Sequence, residues 1–549
     1  MMRGFLADLR REFSGYNGKR FSQDLMAGIT VAAVALPLAL AFGVSSGADA
    51  AAGLITAILG GIVIGFLSGA SYQISGPTGA MAAVLAGVVA SYGLQGVFVA
   101  TLLAGIILIL AGVFRLGRLV SIIPMPVITG FTSGIALVIA LGQLDNFFGT
   151  HTAHSGNLGM VQTYVEQGFH PHMQTMVIGL FVVLFMILWP KKWQAVFPSS
   201  LAALIVVLIA NAFLKWDVAV VGEIPRTLLP AVRLTPAGVD LSAVGGLITP
   251  ALSIAVLGMI ESLLCGASAG NMKGEAINAD RELVAQGVGN LILPFFGGVP
   301  ATAAIARTSV AIKAGQQTRL TGIIHSLGLL ASMFLLSPVM SRIPMAALAG
   351  VLMVTAWRMN EWHTIRYLAS HKLKGAMLAF LVTLACTVLF DLSIAIVAGM
   401  ALCCVIFAVK CVQHVEVSIS EVDPQRLQRI NLSYHPRHTS VRVVYISGAL
   451  FFGSAGYLER SLAQMPEDTT SVILSVRGVS TVDTTGMQVI SRFVQAQLDK
   501  GVKVYVSGAS QPLRTAMDRG GVTHMVGESA FCWSAMDALS DIAQEQQTV

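Results

Sequence analysis

The chain has 549 residues, of which 55% are hydrophobic and 11% are charged. A soluble domain carries roughly 25% charged residues, so this composition excludes a wholly soluble protein. The net charge of +6 does not indicate a nucleic-acid partner, because the basic residues concentrate in short loops between apolar segments. The apolar runs are about 17–25 residues long, the length that crosses a hydrocarbon core of about 30 Å. The sequence therefore predicts a polytopic membrane protein.

Residues 1–23 are polar and basic, and no small-residue cleavage site follows the first apolar run, so we expect a cytoplasmic N-terminal segment and no secretory signal. A transmembrane domain of fourteen spans is predicted over 24–412, as two repeats at about 24–214 and 246–410. Two of the spans, 72–92 and 299–314, are short or irregular. The predicted spans lie near 24–44, 50–68, 72–92, 95–114, 120–141, 173–190, 196–214, 246–269, 281–296, 299–314, 319–338, 344–357, 375–390 and 392–410.

The distribution of basic residues predicts the orientation of the spans. With the N-terminus inside, the loops after even-numbered spans carry lysines and arginines, whereas the loop 143–174 carries none. By the positive-inside rule, both termini are cytoplasmic. The same loop holds His151, His154, His170 and His172. Metal binding or pH sensing is an alternative there, but the loose spacing favours a solvated loop, and no metal site is predicted.

The composition changes after about residue 413. The stretches "VRVVYISGALFF", "TSVILSVRG" and "KVYVSG" are typical of strands. The stretches "SAGYLERSLAQM", "TGMQVISRFVQAQLDK" and "QPLRTAMDRG" are typical of helices. Strands that alternate with helices indicate a small soluble α/β domain, which we place at 416–549.

The two irregular spans align with each other without a gap. "GFLSGASYQISGPTGAM" (65–81) lies over "PFFGGVPATAAIARTSV" (294–310), and each stretch opens the third span of a seven-span half. Interrupted segments at corresponding positions of two halves indicate the binding site of a transporter. Seven is an odd number, so the second half is expected to be inverted relative to the first.

An extended lead-in followed by a half-helix places a helix N-terminus inside the membrane, with free N–H groups and partial positive charge. We expect two such ends, from Ser75–Gly79 and from Ala304–Thr308, to face each other and hold an anion. Glycines at 76 and 79 let the backbone approach the ligand, and Pro77 suits the first helical turn. The alternative is a pair of kinked helices packed through small residues.

Two ionisable residues lie inside apolar spans. Each costs on the order of 3 kcal/mol at mid-bilayer if it has no partner. Arg307 is expected to supply positive charge near the anion; the alternative is a structural arginine that reaches a carboxylate, a carbonyl or the membrane interface. Glu261 is expected to accept a proton; the alternative is a hydrogen-bonded brace for the broken span. Asp24, at the start of the first span, resembles a helix N-cap.

These residues and motifs resemble the SulP anion transporters, also called solute carrier family 26. Among bacterial members, "LGMIESLLC" and "PFFGGVPATAAIAR" most resemble the dicarboxylate-transporting branch, which implies the bacterial inner membrane. The resemblance extends from about residue 20 to 540. The other stretches that carry it are "DLMAGITVAAVALPLALAFGVSSG", "YQISGPTGAM", "ELVAQGVGNLILPFFGGVPATAAIARTSVAIKAG" and "DTTG".

The resemblance implies an α-helical polytopic fold of 7+7 inverted repeats and a cytoplasmic STAS domain. It further implies a core domain (spans 1–4 and 8–11) that moves against a gate domain (spans 5–7 and 12–14) like an elevator, and a homodimer. The anion is expected between the third and tenth spans, beside an aromatic residue of the first, with Glu261 as the acidic position of span 8. The implied substrate-binding residues are Phe42, Gly76, Thr78, Gly79, Ala304, Ile305, Ala306 and Arg307.

The chain departs from the family pattern at several positions. Leu38 stands where a glutamine is common, and Ala306 and Thr308 flank Arg307 where many members have serines. Sodium-coupled bicarbonate members have an aspartate and a threonine where this chain has Glu261 and Cys265. Sodium ligation is therefore less favoured, and proton coupling is the preferred interpretation.

The loop that contains Asp483, Thr484, Thr485 and Gly486 matches the loop before a helix in STAS domains, where the hydroxyl is phosphorylated in some relatives. Helix capping by Asp483 is the favoured interpretation. Phosphorylation or nucleotide binding, with a cytoplasmic protein partner at this domain, is the alternative.

The expected function is secondary active transport, with proton-coupled uptake of sulfate or a C4-dicarboxylate. No enzymatic activity and no cofactor are expected. The alternatives are a sodium-coupled or exchange-type bicarbonate transporter, a passive anion channel, a membrane anchor for a regulatory STAS domain, and a nucleobase-type permease. Arg307 and the STAS domain argue against the last of these.

Overall fold

The computed structural model describes residues 2–150, 152, 162–166, 168–194, 197–235, 244–390, 392–422 and 440–547. The chain forms two compact units, Met1–Ala401 and Leu402–Val549. The division falls inside a helix, so the domain boundaries at 412 and 416 remain predictions.

Helices account for nearly all the regular structure of the first unit. Its first half contains α1 (Met2–Glu12), α2 (Gly18–Ser45), α3 (Ala50–Leu67), α4 (Gly79–Val113), α5 (Met125–Gly142), α6 (Leu144–Phe148), α7 (Met173–Leu188), α8 (Lys191–Gln194) and α9 (Ser199–Leu214). The second half contains α10 (Val244–Lys273), α11 (Ala279–Ile292), α12 (Ile305–Lys313), α13 (Leu320–Met340), α14 (Met345–Met359), α15 (Trp362–Ser370), α16 (Lys374–Leu389) and α17 (Leu392–Gln413). Short 3₁₀ turns lie at Leu116–Ile122 and Leu293–Phe296.

Among the described residues, seven helices are long and apolar enough to cross a membrane, and four shorter apolar helices accompany them. Large apolar side chains are exposed on these helices; Leu188, Phe213 and Leu335 expose 77%, 83% and 76% of their surface. Removing apolar surface from water is favourable by about 25 cal/mol per Å², so these faces suit lipid. The first unit therefore has a helical polytopic membrane fold.

Two sequence expectations about helix boundaries have different outcomes. The predicted boundary between spans 72–92 and 95–114 is confirmed, because α4 is interrupted at Gly93, whose φ of 68° and ψ of −176° are not helical. The expectation that Asp24 is a helix N-cap is wrong. Asn17 caps α2 by accepting from the Arg20 N–H, and Asp24 lies buried in the second turn of the helix.

The helices of the first unit pack in two groups. The first helix group consists of α2, α3, α4, α10, α11, α12 and α13, and the second consists of α5, α6, α7, α9, α14 and α16. Contacts between the groups are made mainly by α2 and α4. This grouping follows the expected division into core and gate for spans 1–13; α17, at the position of span 14, is assigned to neither group.

The first unit contains two short strands, β1 (Ser75–Gly76) and β2 (Thr302–Ala303). The second unit contains a five-stranded mixed sheet with the strand order β3-β4-β5-β6-β7. The edge strand β3 is antiparallel to β4, and the other neighbours are parallel. Helices cover both faces. The strands are β3 (Glu416–Glu421), β4 (Ser440–Leu450), β5 (Thr469–Val482), β6 (Lys503–Ser507) and β7 (Phe531–Cys532); the helices are α18 (Ala455–Leu462), α19 (Thr484–Asp499), α20 (Gln511–Arg519), α21 (Val522–Val526) and α22 (Ala535–Gln547), with a 3₁₀ turn at Glu528–Ala530.

The predicted α/β class of this unit is confirmed, because β4, β5, β6 and α18, α19, α20 fall where the sequence patterns placed them. The sequence analysis missed β3, β7, α21 and α22. β3 has the sequence EVSISE, whose alternation of polar and apolar residues was a usable strand signal, whereas β7 is two residues long.

Candidate functional site

Both irregular spans are broken rather than continuous. The chain leaves the helix after α3 and again after α11, and the two extended lead-ins pair as antiparallel strands, with Ser75 opposite Ala303 and Gly76 opposite Thr302. α4 starts after β1 and α12 starts after β2. The prediction of two half-helices that begin inside the unit is confirmed, and the antiparallel pairing fits two halves that are inverted relative to each other.

The first half-helix begins later than the sequence analysis expected. Thr78 is its N-cap, and its hydroxyl accepts from the Met81 N–H at 3.4 Å. Pro77 therefore lies before the cap, and its expected position in the first helical turn is wrong. Threonine is preferred at the N-cap position, so Thr78 could have been recognised from the sequence as the residue that caps α4.

One face of α11 supports both lead-ins. Glu282 accepts from the Ser68 hydroxyl at 2.6 Å, and Gln286 donates to the Ser75 hydroxyl at 3.1 Å. Asn290 brackets Ala301, donating to its carbonyl at 3.0 Å and accepting from its N–H at 2.8 Å. Residues 282, 286 and 290 are four apart and share a helix face. The sequence analysis missed this polar stripe, although its spacing within an apolar segment was visible.

A second set of hydroxyl contacts comes from α10 and α12. The Ser262 and Thr302 hydroxyls lie 2.9 Å apart, and the Ser262 hydroxyl also accepts from the Ala303 N–H at 3.2 Å. The Thr308 hydroxyl accepts from the Ile74 N–H at 3.0 Å. These bonds satisfy backbone groups that the extended lead-ins would otherwise leave unpaired in a membrane.

Arg307 connects the two lead-ins. Its side chain is buried, with 1% of the residue exposed, and its Nη2 donates to the Pro77 carbonyl at 2.6 Å. Its Nη1 has no hydrogen-bond partner among the described residues. Gly76 leaves room for it, because a β-carbon at this position (φ 157°) would lie 2.5 Å from Nη1. The guanidinium therefore has a free donor beside the strand pair.

Glu261 joins this arrangement through Thr78. The Thr78 hydroxyl donates to Glu261 Oε2 at 2.8 Å while it caps α4. This contact fits the alternative in which Glu261 braces the broken span. The proton-accepting role of Glu261 stays a prediction.

Phe42 lies beside the start of α4. A β-carbon on Gly79 would lie 3.0 Å from Phe42 Cε1 and would also contact Ile139 Cδ1 of α5. A narrow cleft, too tight to admit a water molecule in this conformation, lies here. Its lining residues are Phe42, Ser46, Pro77, Thr78, Met81, Ala82, Leu85, Val299 and Pro300.

The start of α12 is less enclosed. The Ala304 N–H donates to the Ile74 carbonyl at 3.0 Å, and no side chain caps this helix. Ile305 is 47% exposed and Ala306 is also exposed. The structure thus brings Phe42, Thr78, Gly79 and Glu261 together at the start of α4, and it brings Gly76 and Arg307 together where Arg307 donates to the Pro77 carbonyl. Ile305 and Ala306 do not line the cleft.

In the second unit, Asp483 caps α19 as expected. Its carboxylate accepts from the Gly486 N–H at 2.8 Å and from the Phe452 N–H at 2.9 Å. Thr484 is exposed and Thr485 is half-buried. Phosphorylation or nucleotide binding at this loop stays a prediction.

Among the described residues, the histidines of the loop 143–174 do not cluster into a metal site. His151 and His154 lie outside the described residues, and the His172 Nδ1 lies 2.8 Å from the Thr175 hydroxyl. Within the described ranges, no three His, Cys, Asp or Glu side chains are grouped as metal ligands.

Comparison with known proteins gives two family matches. Residues 21–383 match the sulfate permease family, and residues 435–534 match the STAS domain. The chain is 35% identical to "Putative sulfate transporter YvdB" of Bacillus subtilis, over 94% of this chain and 97% of that protein. It is 29% identical to the bicarbonate transporter BicA of Picosynechococcus, over 90% of each chain.

Two solved structures share the architecture. The transmembrane domain of a cyanobacterial bicarbonate transporter BicA aligns with a TM-score of 0.64 at 29% identity, covering 70% of this chain and 98% of that one. The structure of SLC26A9 aligns with a TM-score of 0.83 at 18% identity, covering 98% of this chain and 93% of that one. The second likeness concerns the fold alone.

Proposed function

Because this chain belongs to the sulfate permease family, whose members are anion transporters and not enzymes, we propose that it is a secondary active transporter of sulfate or a C4-dicarboxylate. It is a multi-pass membrane protein with a STAS domain at residues 435–534.

The observation that carries the proposal is the open start of α12 beside Arg307. The first N–H groups of a helix have no carbonyl one turn earlier to bind, and the helix dipole adds partial positive charge there. At α12 no side chain caps these groups, and Arg307 Nη1 is without a partner among the described residues. A small dianion would accept hydrogen bonds from the backbone and the guanidinium together.

The fixed position of the guanidinium supports this assignment. The bond from Nη2 to the Pro77 carbonyl fixes the orientation of the Arg307 guanidinium. A charged guanidinium donates strong hydrogen bonds to oxyanions. We therefore assign Ala304, Ile305, Ala306 and Arg307 to the anion site.

The residues at the start of α4 form the second wall of the proposed site. Phe42 and Thr78 line the cleft, and Gly79 packs against Phe42. An aromatic wall excludes water and leaves the charge to the helix end and Arg307. We assign Phe42, Thr78 and Gly79 to the substrate-binding residues on this basis, and Gly76 because its missing side chain leaves room for Arg307 Nη1.

We propose that transport follows the elevator mechanism. The half-helices belong to the first helix group, and Gly79 contacts Ile139 of the second group. Sliding of the first group along the second would carry the anion across the membrane, while the bonds from α10 and α11 keep the strand pair intact. The homodimer and the cytoplasmic termini are part of the same proposal.

We propose proton coupling at Glu261. Its carboxylate accepts from Thr78, which caps the half-helix next to the cleft. Protonation of Glu261 would remove a negative charge from the neighbourhood of an incoming dianion and so favour its binding. This links proton and anion binding reciprocally.

Bicarbonate is the second candidate substrate. The bicarbonate transporter BicA of Picosynechococcus is 29% identical over 90% of each chain. A helix end with one guanidinium recognises charge more than shape, and it can hold a monoanion as well as a dianion. Uptake assays with all three anions separate the candidates.

The test is uptake of radiolabelled sulfate, succinate and bicarbonate into proteoliposomes, with and without an inward proton gradient. We expect gradient-driven accumulation of sulfate or succinate by the wild type, and none by Arg307→Ala. Arg358→Ala is the matched control, because Arg358 also donates one bond to a backbone carbonyl, that of Met186 at 3.0 Å, but lies in the second helix group. Normal uptake by Arg307→Ala would contradict the proposal.

Anion binding by the same purified variants separates loss of the site from loss of the fold. We expect sulfate or succinate to raise the melting temperature of wild type and Arg358→Ala, and to leave that of Arg307→Ala unchanged.

A further inference from the structure

A groove opens among the helices of the second helix group, and it shares no lining residue with the cleft beside α4. Its volume is about 390 Å³, within the range of about 300–1,000 Å³ that is typical of ligand sites. Its walls are formed by α5, α14, α15 and α16. Most of the lining is apolar and includes Leu137, Ala140, Met353, Trp357, Phe380 and Leu384. An apolar molecule therefore fits this space better than a small anion does.

The groove reaches about halfway across a bilayer. Leu137 at its edge is exposed, as are Leu378 and Leu381 of α16, so this side of the helices suits lipid. The lining residue Leu384 lies about 15 Å along α16 from Lys374, because a helix rises by about 1.5 Å per residue. The hydrocarbon core is about 30 Å thick, so this depth corresponds to one leaflet. An acyl chain that enters near the start of α16 could extend along the groove.

One end of the groove is bordered by the amphipathic helix α15. Trp362 and Ile365 line the groove, whereas His363 and Arg366 are exposed. Apolar residues with tryptophan on one face and basic residues on the other are typical of helices that lie in the membrane interface. The ring centroids of Trp357 and Trp362 lie 4.5 Å apart. Tryptophans are enriched at the level of the lipid headgroups, so this end of the groove is expected at the membrane surface.

The charges at this end favour an anionic headgroup. The sequence from 353 to 390 contains four Lys or Arg residues and one Asp or Glu residue. The acidic residue, Glu361, already accepts a hydrogen bond from a hydroxyl of α5 at 2.9 Å. Three of the basic residues, Arg366, Lys372 and Lys374, are exposed on α15 and at the start of α16. Basic residues clustered at a membrane surface attract anionic lipids.

One polar side chain of the groove lacks a partner. Ser133 of α5 lines the groove and is 6% exposed, and its hydroxyl makes no hydrogen bond within the described part of the chain. Buried hydroxyl groups normally have an acceptor. The ester carbonyl of a phospholipid is such an acceptor, whereas the apolar side chains of a second copy of the protein offer none.

We propose that this groove binds one acyl chain of an anionic phospholipid from the surrounding bilayer, with the headgroup held by Arg366, Lys372 and Lys374. The bound lipid fills the space between α5, α14 and α16 and maintains their spacing. α5 also packs against the start of α4, where Ile139 meets Gly79. The lipid therefore supports the surface against which the first helix group packs. Its binding can be measured without anion transport.

The test uses the fluorescence of Trp357 and Trp362, because bromine atoms on an acyl chain quench tryptophan only on contact. The full-length protein is reconstituted into phosphatidylcholine vesicles that contain a minor fraction of lipid with brominated chains, either phosphatidylglycerol or phosphatidylcholine. A variant with phenylalanine at both positions gives the background from the remaining tryptophans. We expect the lipid affinity deduced from quenching to be at least about threefold higher for phosphatidylglycerol than for phosphatidylcholine.

One variant tests whether the acyl chain occupies the groove. Ala140→Phe places a ring in the groove and should reduce the quenching of Trp357 and Trp362 by both brominated lipids. Ala376→Phe is the matched control, because Ala376 is also half-buried but does not line the groove. It should leave the quenching unchanged.

A second variant tests the headgroup contacts. Replacement of Arg366, Lys372 and Lys374 by glutamine should abolish the preference for phosphatidylglycerol and leave quenching by phosphatidylcholine unchanged. The same number of charges is removed in the control variant, which should keep the preference. Its replacements with glutamine are at three exposed lysines outside this region, Lys192, Lys215 and Lys410.

Three results would overturn the lipid site. The first is equal affinity of the wild type for the two brominated lipids, and the second is unchanged quenching in Ala140→Phe. The third is protection of Trp357 and Trp362 from both lipids, which would mean that protein, such as a second copy of this chain, covers the groove. The comparison of the two lipids on the wild type remains decisive if Ala140→Phe fails to fold.

Discussion

The two half-helices begin in different ways. α4 starts behind Thr78, whose hydroxyl accepts the Met81 N–H, and its first residues Gly79, Ala80 and Met81 are buried. α12 starts behind Ala304, which has no side chain that can cap it, and its next two residues are exposed. The first end is capped by the protein itself, and the second end has no side-chain cap. In the proposed function, the anion therefore binds at α12, and α4 forms a wall of the site.

The largest effect is expected from adding a charged cap at the open end. Both Ala304→Asn and Ala304→Asp can accept an N–H of the first turn, as Thr78 does in α4, but only aspartate adds a negative charge. We expect Ala304→Asp to weaken sulfate binding at least about tenfold more than Ala304→Asn, which corresponds to about 1.4 kcal/mol. Titration calorimetry on the two purified variants measures the ratio. Equal affinities would place the anion elsewhere.

A smaller effect is expected from closing the space beside the guanidinium. In Gly76→Ala, the added β-carbon would lie 2.5 Å from Arg307 Nη1 at a φ that L-residues rarely adopt. We expect destabilisation of about 1–3 kcal/mol and a several-fold loss of anion affinity. Gly65→Ala on α3 is the control, because its β-carbon meets no atom within 4 Å. A variant with displaced Arg307 and unchanged affinity would argue against the guanidinium as an anion ligand.

Removing the N-cap of α4 is expected to change the stability of the protein more than its affinity for the anion. Thr78→Ala removes the cap of α4 and the donor to Glu261, with an expected cost of about 1 kcal/mol. Thr78→Ser keeps the hydroxyl and should behave as wild type in thermal denaturation. We expect the anion affinity of Thr78→Ala to change by less than about threefold, or 0.7 kcal/mol. A tenfold loss for Thr78→Ala would mean that both helix ends hold the anion.

The smallest effect on anion binding is expected from removing the cap of a third helix, α19. Asp483 caps α19 in the second unit, and Asp483→Ala should destabilise that unit by about 1 kcal/mol. Thr484 is the exposed neighbour of Asp483, and Thr484→Ala should change the free energy of unfolding by no more than about 0.5 kcal/mol from the wild-type value. Neither change should alter anion affinity in the purified protein, as measured by the same titration.

Much of this comparison was readable in the sequence. Glycine and proline within two apolar runs predicted the breaks, and the charges of Glu261 and Arg307 within apolar segments predicted the centre of the site. Both signals are local, because a helix breaker and a buried charge each have a cost that does not depend on the rest of the fold.

The remaining features depend on tertiary contacts. The antiparallel pairing of Ser75 with Ala303 joins segments more than two hundred residues apart, and no local pattern encodes it. The polar stripe at Glu282, Gln286 and Asn290 had a visible spacing, but its partners are loops whose paths the sequence does not reveal.

The most direct test of the central claim is an anomalous difference map of the full-length protein with selenate, a heavier analogue of sulfate. If the anion binds at the uncapped start of α12, the map should show a selenium peak placed so that the selenate oxygens accept hydrogen bonds from the backbone N–H groups at Ile305–Arg307 and from Arg307 Nη1. A peak at the start of α4 alone, or selenate bound away from both half-helices, would contradict it.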